Sequence, residues 1–296
     1  MKNKKIFKFI APSSPTTSLN QINCQAFAKS YQAEAQFGKY SSEAFYDLAG
    51  CDSQRLEDFN NAFSAECDAI FAIRGGYGSA RLLVLIDFKT LESLSNPTPF
   101  FGYSDTTALQ LALWTKSRVK TFSGLLPGVD FCEKLNPLTA TYFSAILEDK
   151  PLPTVTNLPA FKTGKASGVL LGGCLSVLNS LLGTPFCPDF TGAILFLEEV
   201  NEPTYVIDRL LNQLKSCGIL QKLSGLIFGA FTKCEPRNAQ EFPLDLVLKH
   251  YAQFVDGPVC YNLPYGHISE KIILPIGGKA TLDGSAGTLT FLGEQL

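Results

Sequence analysis

Short apolar runs alternate with amphipathic stretches through the first half of the chain. Continuous apolar runs bounded by turn residues are typical of buried β-strands, whereas apolar residues at every third or fourth position are typical of helices. Strands are predicted at residues 5–11, 69–73 and 99–102, and helices at 18–31, 53–65, 79–86 and 106–116. Strands that alternate with helices in this way predict a parallel α/β sheet.

The pattern changes between residues 148 and 166. This stretch contains three prolines and few regularly spaced apolar residues, so we interpret it as a linker between domains. The second half has predicted strands at 168–171, 193–197 and 225–231, and a terminal β-hairpin with Asp283-Gly284 as its turn. The predicted organisation is an N-terminal α/β domain, a linker and a second domain, with bounds 1–150, 151–165 and 166–296.

Composition and charge narrow the class of protein. Hydrophobic residues make up 46% of the chain and charged residues 18%, which favours a globular protein over a disordered one. The formal net charge is −2, and no basic block is interleaved with aromatic residues. Neither nucleic acid nor a membrane is therefore expected as a partner.

The N-terminal segment and the cysteines both favour a cytoplasmic location. The apolar run at 6–11 contains Lys8 and is followed by Pro12 and Pro15, so it predicts a β-strand rather than an export signal. No apolar run approaches the roughly 18 to 20 residues that span a bilayer. The nine cysteines include no CxxC pair, which predicts reduced thiols rather than a metal site or a disulfide framework. No metal or other cofactor is expected.

Two histidines are the candidates for a catalytic base. His250 lies among apolar neighbours in a helical pattern, which predicts a surface or helix-terminal position. His267 lies in NLPYGHISEK, a turn bounded by proline and glycine, and loops of this kind often present functional side chains. A nucleophile and an orienting carboxylate are needed to support a catalytic role for His267.

Ser104 lies where a predicted strand turns into a helix, in the segment GYSDT. A serine at such a corner is exposed at the carboxyl edge of the sheet, and the next backbone N–H is free at the start of the helix. The GxSxG pattern of nucleophile elbows is matched only in part. Two interpretations stay open here: a nucleophile at Ser104, or a helix N-cap at Ser104 or Asp105.

Two further segments place polar groups at the ends of predicted strands. Glu198 and Glu199 follow an apolar strand, and strand alternation points their side chains to opposite faces. One of them can orient a histidine while the other faces solvent or a helix, or both are simply exposed acids. The RGGYG turn at 74–78 follows another strand, and its glycines allow backbone amides to approach an oxyanion or a carboxylate.

These segments, in this order, resemble the serine L,D-carboxypeptidase family, which also includes the microcin-immunity peptidases. The matching runs include FAIRGGYGSARLL, FFGYSDTTAL, GVLLGGCLSVLNSLLGTP, ILFLEEVNEPTYVIDRLLNQL and LPYGHISEKIILPIGGKATLD. The resemblance implies an N-terminal flavodoxin-like parallel-sheet domain, a smaller β-rich C-terminal domain, a site at their junction and a homodimer. The chain departs from the family's usual pattern at Cys174, where many relatives have Asn, and at Glu199, where Asp is more usual.

The resemblance also implies roles for the candidate residues. Ser104 would be the nucleophile, Glu198 the orienting acid and His267 the base. The backbone amides of Gly76 and Asp105 would form the oxyanion hole.

The implied substrate is a murein tetrapeptide, cut before its terminal D-alanine during wall recycling in the cytoplasm. An exopeptidase must recognise a terminal carboxylate, and Arg74 beside the glycine turn is a candidate for that contact. Three alternatives stay open. One is a microcin-immunity-type peptidase that cleaves a peptidyl-nucleotide toxin, another is an α/β-hydrolase esterase, which the absent GxSxG disfavours, and the third is a non-catalytic binder of wall fragments.

Overall fold

The strands and helices of the first half alternate along the chain. A computed structural model describes residues 4–94 and 98–293, so the outermost residues of both predicted domains lie outside the described residues. The strands are β1 (Lys5–Ile10), β2 (Ala33–Phe37), β3 (Ala69–Ala72), β4 (Phe100–Gly102) and β5 (Thr121–Ser123). The helices are α1 (Ser18–Ser30), α2 (Asp52–Ser64), α3 (Phe88–Glu92), α4 (Thr107–Ser117), α5 (Pro127–Asp130) and α6 (Pro137–Leu147).

The second half is richer in strands. These are β6 (Ala160–Lys162), β7 (Lys165–Cys174), β8 (Ile194–Val200), β9 (Gly225–Thr232), β10 (Val259–Cys260), β11 (Leu274–Ile276), β12 (Lys279–Asp283) and β13 (Thr288–Leu292). The helices are α7 (Leu175–Asn179), α8 (Thr204–Ser216) and α9 (Leu244–Ala252). No helix in the described part of the chain is both long and apolar enough to cross a membrane.

The first sheet has the strand order of a flavodoxin-like fold. Strands β2-β1-β3-β4-β5 lie side by side and are all parallel, which is the doubly wound 2-1-3-4-5 arrangement. Its central strand β3 is buried at every position, as expected for a parallel sheet covered by helices on both faces. The predicted α/β class and flavodoxin-like arrangement are confirmed.

The second sheet mixes parallel and antiparallel strands in the order β13-β12-β7-β8-β9-β10-β6. Strands β7, β8, β9 and β10 are parallel, while β12 and β6 pair antiparallel at either side of them. Strand β11 instead pairs antiparallel with β5 and becomes an edge of the first sheet. The chain therefore crosses back from the second half to the first just after the loop that carries His267.

The segment 79–86 is shorter as a helix than its apolar pattern predicts. Only a 3-10 turn at Ser79–Leu82 forms there, and Val84 and Leu85 are exposed. The reason lies in Asp87, whose carboxylate accepts the backbone N–H groups of Lys89 and Thr90 and so begins α3. The prediction of one helix over 79–86 is wrong, because a capping residue competed with the apolar periodicity.

Two predicted connections also differ from the structure. Residues 160–162 of the predicted linker form β6, and β7 already begins at Lys165. The terminal hairpin is joined by four residues, 284–287, rather than by Asp283-Gly284 alone. Asp283 ends its strand, and its carboxylate accepts the backbone N–H groups of Ser285 and Ala286, which stabilises the longer turn. The domain bounds themselves stay a prediction.

Candidate active site

Ser104 lies at a sharp corner between β4 and α4. Its φ of +63° places a non-glycine residue in the left-handed region, a conformation that costs free energy and that the surrounding contacts must enforce. Two local features of the turn contribute, the glycine at 102 and the side chain of Thr106. A Cβ at Gly102 would collide with the Thr106 hydroxyl, so the turn needs glycine there, and that hydroxyl donates to the Tyr103 carbonyl at 2.9 Å.

Neither Ser104 nor Asp105 serves as a helix cap. The first residue before α4 has no side-chain capping bond, and the Ser104 hydroxyl is bonded elsewhere. The Asp105 carboxylate accepts the Ser13 hydroxyl at 2.6 Å and the Ser79 N–H at 2.8 Å. Asp105 thus ties the corner to the loop after β1 and to the end of the glycine turn, and the capping interpretation is wrong.

Three candidate residues from distant parts of the chain form one hydrogen-bonded series. The Ser104 Oγ lies 3.0 Å from His267 Nε2, and His267 Nδ1 lies 2.7 Å from Glu198 Oε2. The His267 side chain is 22% exposed whereas that of Glu198 is fully buried. A hydroxyl, an imidazole and a buried carboxylate in this order have the geometry of an activated serine nucleophile.

Glu198 occupies the end of β8 in a desolvated position. Burial raises the pKa of its carboxyl, while the hydrogen bond to His267 acts in the opposite direction. Its second oxygen, Oε1, is buried and has no hydrogen-bond partner among the described residues. Gly266, at φ +128°, lets the histidine loop approach, because a Cβ there would lie 3.0 Å from Glu198 Oε2.

Glu199 points to the opposite face of β8, as the alternation of side chains predicts. Its Oε2 accepts the Ser176 N–H at 2.7 Å, and its Oε1 accepts the Val200 N–H at 2.9 Å and the Cys174 thiol at 3.3 Å. These contacts hold the start of α7 against the sheet and involve none of the three residues in the series. The interpretation of both glutamates as exposed acids is wrong, since both are buried.

The glycine turn lies beside the serine. An ideal Cβ at Gly75 would be 3.1 Å from Ser104 Oγ and 3.6 Å from the Asp105 nitrogen, so the peptide between Gly75 and Gly76 borders the nucleophile candidate. Gly76 has a φ of +118°, which favours glycine. Within the described residues, the Gly76 N–H has no backbone acceptor. The Asp105 N–H belongs to the first turn of the 3-10 segment Ser104–Thr106, where N–H groups lack an intrahelical acceptor, so both groups can bind an anion.

Arg74 is half-buried at the start of the same turn. Its Nη1 donates to the Pro15 carbonyl at 3.2 Å, and its Nε is buried without a partner in the described part of the chain. A guanidinium carries five N–H donors, so donors are left for an anionic ligand. His250, in contrast, is exposed near the end of α9 and packs edge-on against Tyr251 and Phe254.

The loop that carries His267 is held by residues that the sequence did not single out. Before the histidine, the buried Tyr265 hydroxyl lies 2.7 Å from the Ser123 hydroxyl of β5. After it, the Lys271 ammonium donates to the Tyr103 hydroxyl at 2.8 Å and to Asp130 Oδ1 at 2.7 Å. In the sequence, Tyr265 and Lys271 are marked only by their position within four residues of His267, and Tyr103 only by its position directly before Ser104.

Substitution of Gly75 by alanine is expected to lower the rate of a reaction at Ser104 about 10- to 100-fold, because crowding of this nucleophile candidate disturbs its alignment. Gly75 is outside the left-handed region, so the new Cβ, 3.0 Å from Ser104 Cβ, is the main change. Gly225→Ala is the control, since its Cβ would be similarly crowded, 3.1 Å from Leu282, far along the chain from the serine. Steady-state kinetics that show equal losses in both variants would contradict a local effect.

Among the described residues, no group of three or more histidine, cysteine, aspartate or glutamate side chains is arranged to hold a metal ion. All nine cysteines are unpaired.

Two family models match most of the chain. The model of the LD-carboxypeptidase N-terminal domain matches residues 8–124, and that of the LD-carboxypeptidase C-terminal domain matches residues 167–282. The chain is also 33% identical to the probable murein peptide carboxypeptidase of Bacillus subtilis over 285 residues, which covers 94% of this chain and 89% of that protein.

Solved structures agree with these matches. The muramoyltetrapeptide carboxypeptidase from Oxalobacter formigenes is similar with a TM-score of 0.85 at 28% identity, over 97% of this chain and 98% of that one. The protein MccF in complex with glutamyl sulfamoyl guanosine has a TM-score of 0.89 at 22% identity, over 100% and 98% of the two chains. At that identity the second likeness concerns the fold alone.

Proposed function

The chain belongs to the LD-carboxypeptidase family, and on that premise we propose that it releases the terminal D-alanine from murein tetrapeptides with Ser104, His267 and Glu198 as its catalytic triad. It is an enzyme, a carboxypeptidase of the serine type. The observation that carries the proposed triad is the series of hydrogen bonds from the Ser104 hydroxyl through the His267 imidazole to the buried Glu198 carboxylate.

Acylation begins when Ser104 Oγ attacks the carbonyl carbon of the third residue. The hydroxyl proton passes to His267 Nε2, which lies 3.0 Å away, and Glu198 stabilises the resulting imidazolium through Nδ1. The negative charge on the former carbonyl oxygen is received by the N–H groups of Gly76 and Asp105. One donor of this kind is typically worth about 3 to 4 kcal/mol of barrier.

Collapse of the tetrahedral intermediate breaks the peptide bond. The leaving nitrogen takes the proton from His267 Nε2, so D-alanine departs as a neutral amine and the shortened peptide stays as an ester of Ser104. Water then attacks the ester carbonyl and gives a proton to His267. That proton returns to Ser104 Oγ as the ester bond breaks, which restores the enzyme.

Arg74 binds the terminal carboxylate of the substrate in this proposal. Support comes from its place beside the glycine turn and from its buried, unpartnered Nε. A free terminal carboxylate presents two oxygens to the guanidinium fork, whereas a terminal amide presents one oxygen and an NH₂ group.

The change Arg74→Ala is expected to raise KM for the tetrapeptide about 10- to 100-fold, the usual worth of a hydrogen bond to a charged group. A tetrapeptide ending in D-alaninamide should be a poor substrate for the wild type, and the variant should no longer distinguish the two peptides. Arg209→Ala, on the exposed side of α8, is the control. Unchanged discrimination by the Arg74 variant would assign carboxylate recognition to another residue.

The substrate class is tested by comparing kcat/KM for three compounds. These are the tetrapeptide L-Ala-γ-D-Glu-meso-diaminopimelate-D-Ala, its terminal amide, and a peptidyl-adenylate of the type that immunity peptidases cleave. A clear preference for the free tetrapeptide supports wall recycling. Preference for the adenylate supports the toxin-immunity alternative, and binding of the tetrapeptide without turnover supports a non-catalytic binder.

The proposal also covers the domain organisation, the cellular compartment and the oligomeric state of the enzyme. The site lies at the junction of domains bounded at 1–150 and 166–296, and the family models, which stop at 124 and resume at 167, support a division between them. Nine unpaired thiols support a reducing compartment, the cytoplasm. Homodimerisation, supported by the resemblance alone, is tested by light scattering, where a dimer has twice the chain's 32.2 kDa.

A further inference from the structure

A buried lysine lies next to the proposed triad without belonging to it. Lys271 is only 2% exposed, and its ammonium lies 2.7 Å from Asp130 Oδ1 and 2.8 Å from the Tyr103 hydroxyl. The Tyr103 hydroxyl itself donates to Asp130 Oδ1 at 3.2 Å. The other Asp130 oxygen accepts the Leu126 N–H at 2.8 Å, so all polar groups of this cluster are partnered.

The cluster joins the two segments that must meet for catalysis. Lys271 follows His267 by four residues, whereas Tyr103 and Asp130 belong to the first half. Tyr103 directly precedes Ser104, and its ring packs edge-on against the His267 ring with centroids 5.2 Å apart. Tyr103 therefore touches the base through its ring and the nucleophile through its backbone, while Lys271 and Asp130 fix its hydroxyl.

The free-energy cost of burying the Lys271–Asp130 ion pair favours a specific role for this pair over general stabilisation of the fold. A buried ion pair loses its hydration, and apolar side chains of similar volume often stabilise a protein equally well. Such a pair is useful where it fixes one arrangement of the surrounding groups. Here that arrangement is the left-handed backbone of Ser104 at φ +63° opposite the histidine.

We infer that Lys271 is a positioning residue, which acts through Tyr103 to hold Ser104 and His267 at reacting distance. This inference rests on the proposed function, because it assumes that the two residues react as nucleophile and base. The charge of Lys271 has a second consequence. Burial raises the pKa of Glu198, and Lys271 is among the groups that oppose the rise, which favours the ionised carboxylate beside the histidine.

Three variants test the role. Tyr103→Phe removes only the hydroxyl and leaves the ion pair in place. The double variant Lys271→Met with Asp130→Asn removes both charges together, so that no unpaired charge is buried, and the asparagine oxygen can still accept the Leu126 N–H. Tyr142→Phe is the control, since it removes another buried phenol hydroxyl, bonded to the Pro153 carbonyl at 2.8 Å.

Two readouts are compared for each folded variant. One is kcat and KM for the tetrapeptide, and the other is the rate at which a fluorophosphonate labels the serine, with Ser104→Ala as the blank. We expect Tyr103→Phe and the double variant to lower kcat and the labelling rate about 10- to 100-fold, with KM within about twofold of the wild type. The control should lower Tm without slowing the labelling.

The outcomes separate this inference from the proposed function. A folded double variant that is labelled at the wild-type rate would overturn the positioning role, as would an equal loss in Tyr142→Phe. A wild type that is labelled but does not cleave the tetrapeptide would overturn the proposed substrate alone, and slower labelling of the variants would still support Lys271 as a positioning residue. A wild type that is not labelled would overturn both.

Discussion

Replacement of Ser104 by alanine is expected to lower kcat by about 10⁶-fold, the loss seen when a triad serine is removed. The Ser104 hydroxyl is the only one placed 3.0 Å from His267 Nε2 among the described residues, so no neighbouring hydroxyl can take its place. Loss of the Ser104 hydroxyl removes none of the contacts that form the corner between β4 and α4, so the Tm of the variant should stay close to that of the wild type. Steady-state kinetics and thermal unfolding measure the two quantities.

A matched serine serves as the control for this prediction. Ser180 is exposed and donates to the Val177 carbonyl at 2.6 Å, just after α7. Ser180→Ala should keep kcat and KM within about twofold of the wild type. If Ser104→Ala instead kept substantial activity, the nucleophile would have to be another group and the triad assignment would be wrong.

The second large effect is expected at the paired glutamates. Glu198→Gln should lower kcat by about 10⁴-fold, the size of effect known when the carboxylate of another serine protease triad becomes an amide and the histidine takes the wrong tautomer. Glu199→Gln is the matched control because it makes the same chemical change at the next residue. It weakens the bonds to Ser176 and Val200, which should cost about 1 to 3 kcal/mol of stability.

Kinetics and unfolding measured side by side separate the two glutamates. We expect Glu198→Gln to lower kcat with little change in Tm, and Glu199→Gln to lower Tm while it keeps kcat within about tenfold of the wild type. The reverse pattern would mean that Glu199 is the acid that acts in catalysis. Such a result would also require the histidine loop to move, since His267 Nδ1 lies 2.7 Å from Glu198.

The fold class could be predicted from the sequence because local patterns determine it. Strands such as β3 and β4 are continuous apolar runs, and parallel pairing buries both of their faces. The order of the strands and the pairing of β11 with β5 could not be predicted in this way. They depend on contacts between segments that are distant along the chain, for example Phe7 with Ala69 and Leu274 with Ser123, and no local pattern records such contacts.

The same distinction between local patterns and distant contacts applies to the candidate site. Ser104 was found because the turn from strand to helix is local, and His267 because the chain has so few histidines. The hydrogen bonds among Ser104, His267 and Glu198 join three distant segments. No local pattern connects these segments, and before the structure only the resemblance to the family implied that the three residues act together. Lys271 was missed for a physical reason: a lysine is ordinarily expected at the surface, and its burial depends on Asp130 being its partner.

An isotope label in the substrate identifies the bond that the enzyme cuts. The tetrapeptide L-Ala-γ-D-Glu-meso-diaminopimelate-D-Ala is prepared with ¹³C only in its terminal D-alanine, incubated with the wild-type enzyme, and analysed by mass spectrometry. We expect one labelled alanine and an unlabelled tripeptide as the products. Release of unlabelled alanine would mean that the other end of the peptide is cut, and recovery of the intact tetrapeptide would mean that the peptide is not a substrate. Either result would overturn the proposed function.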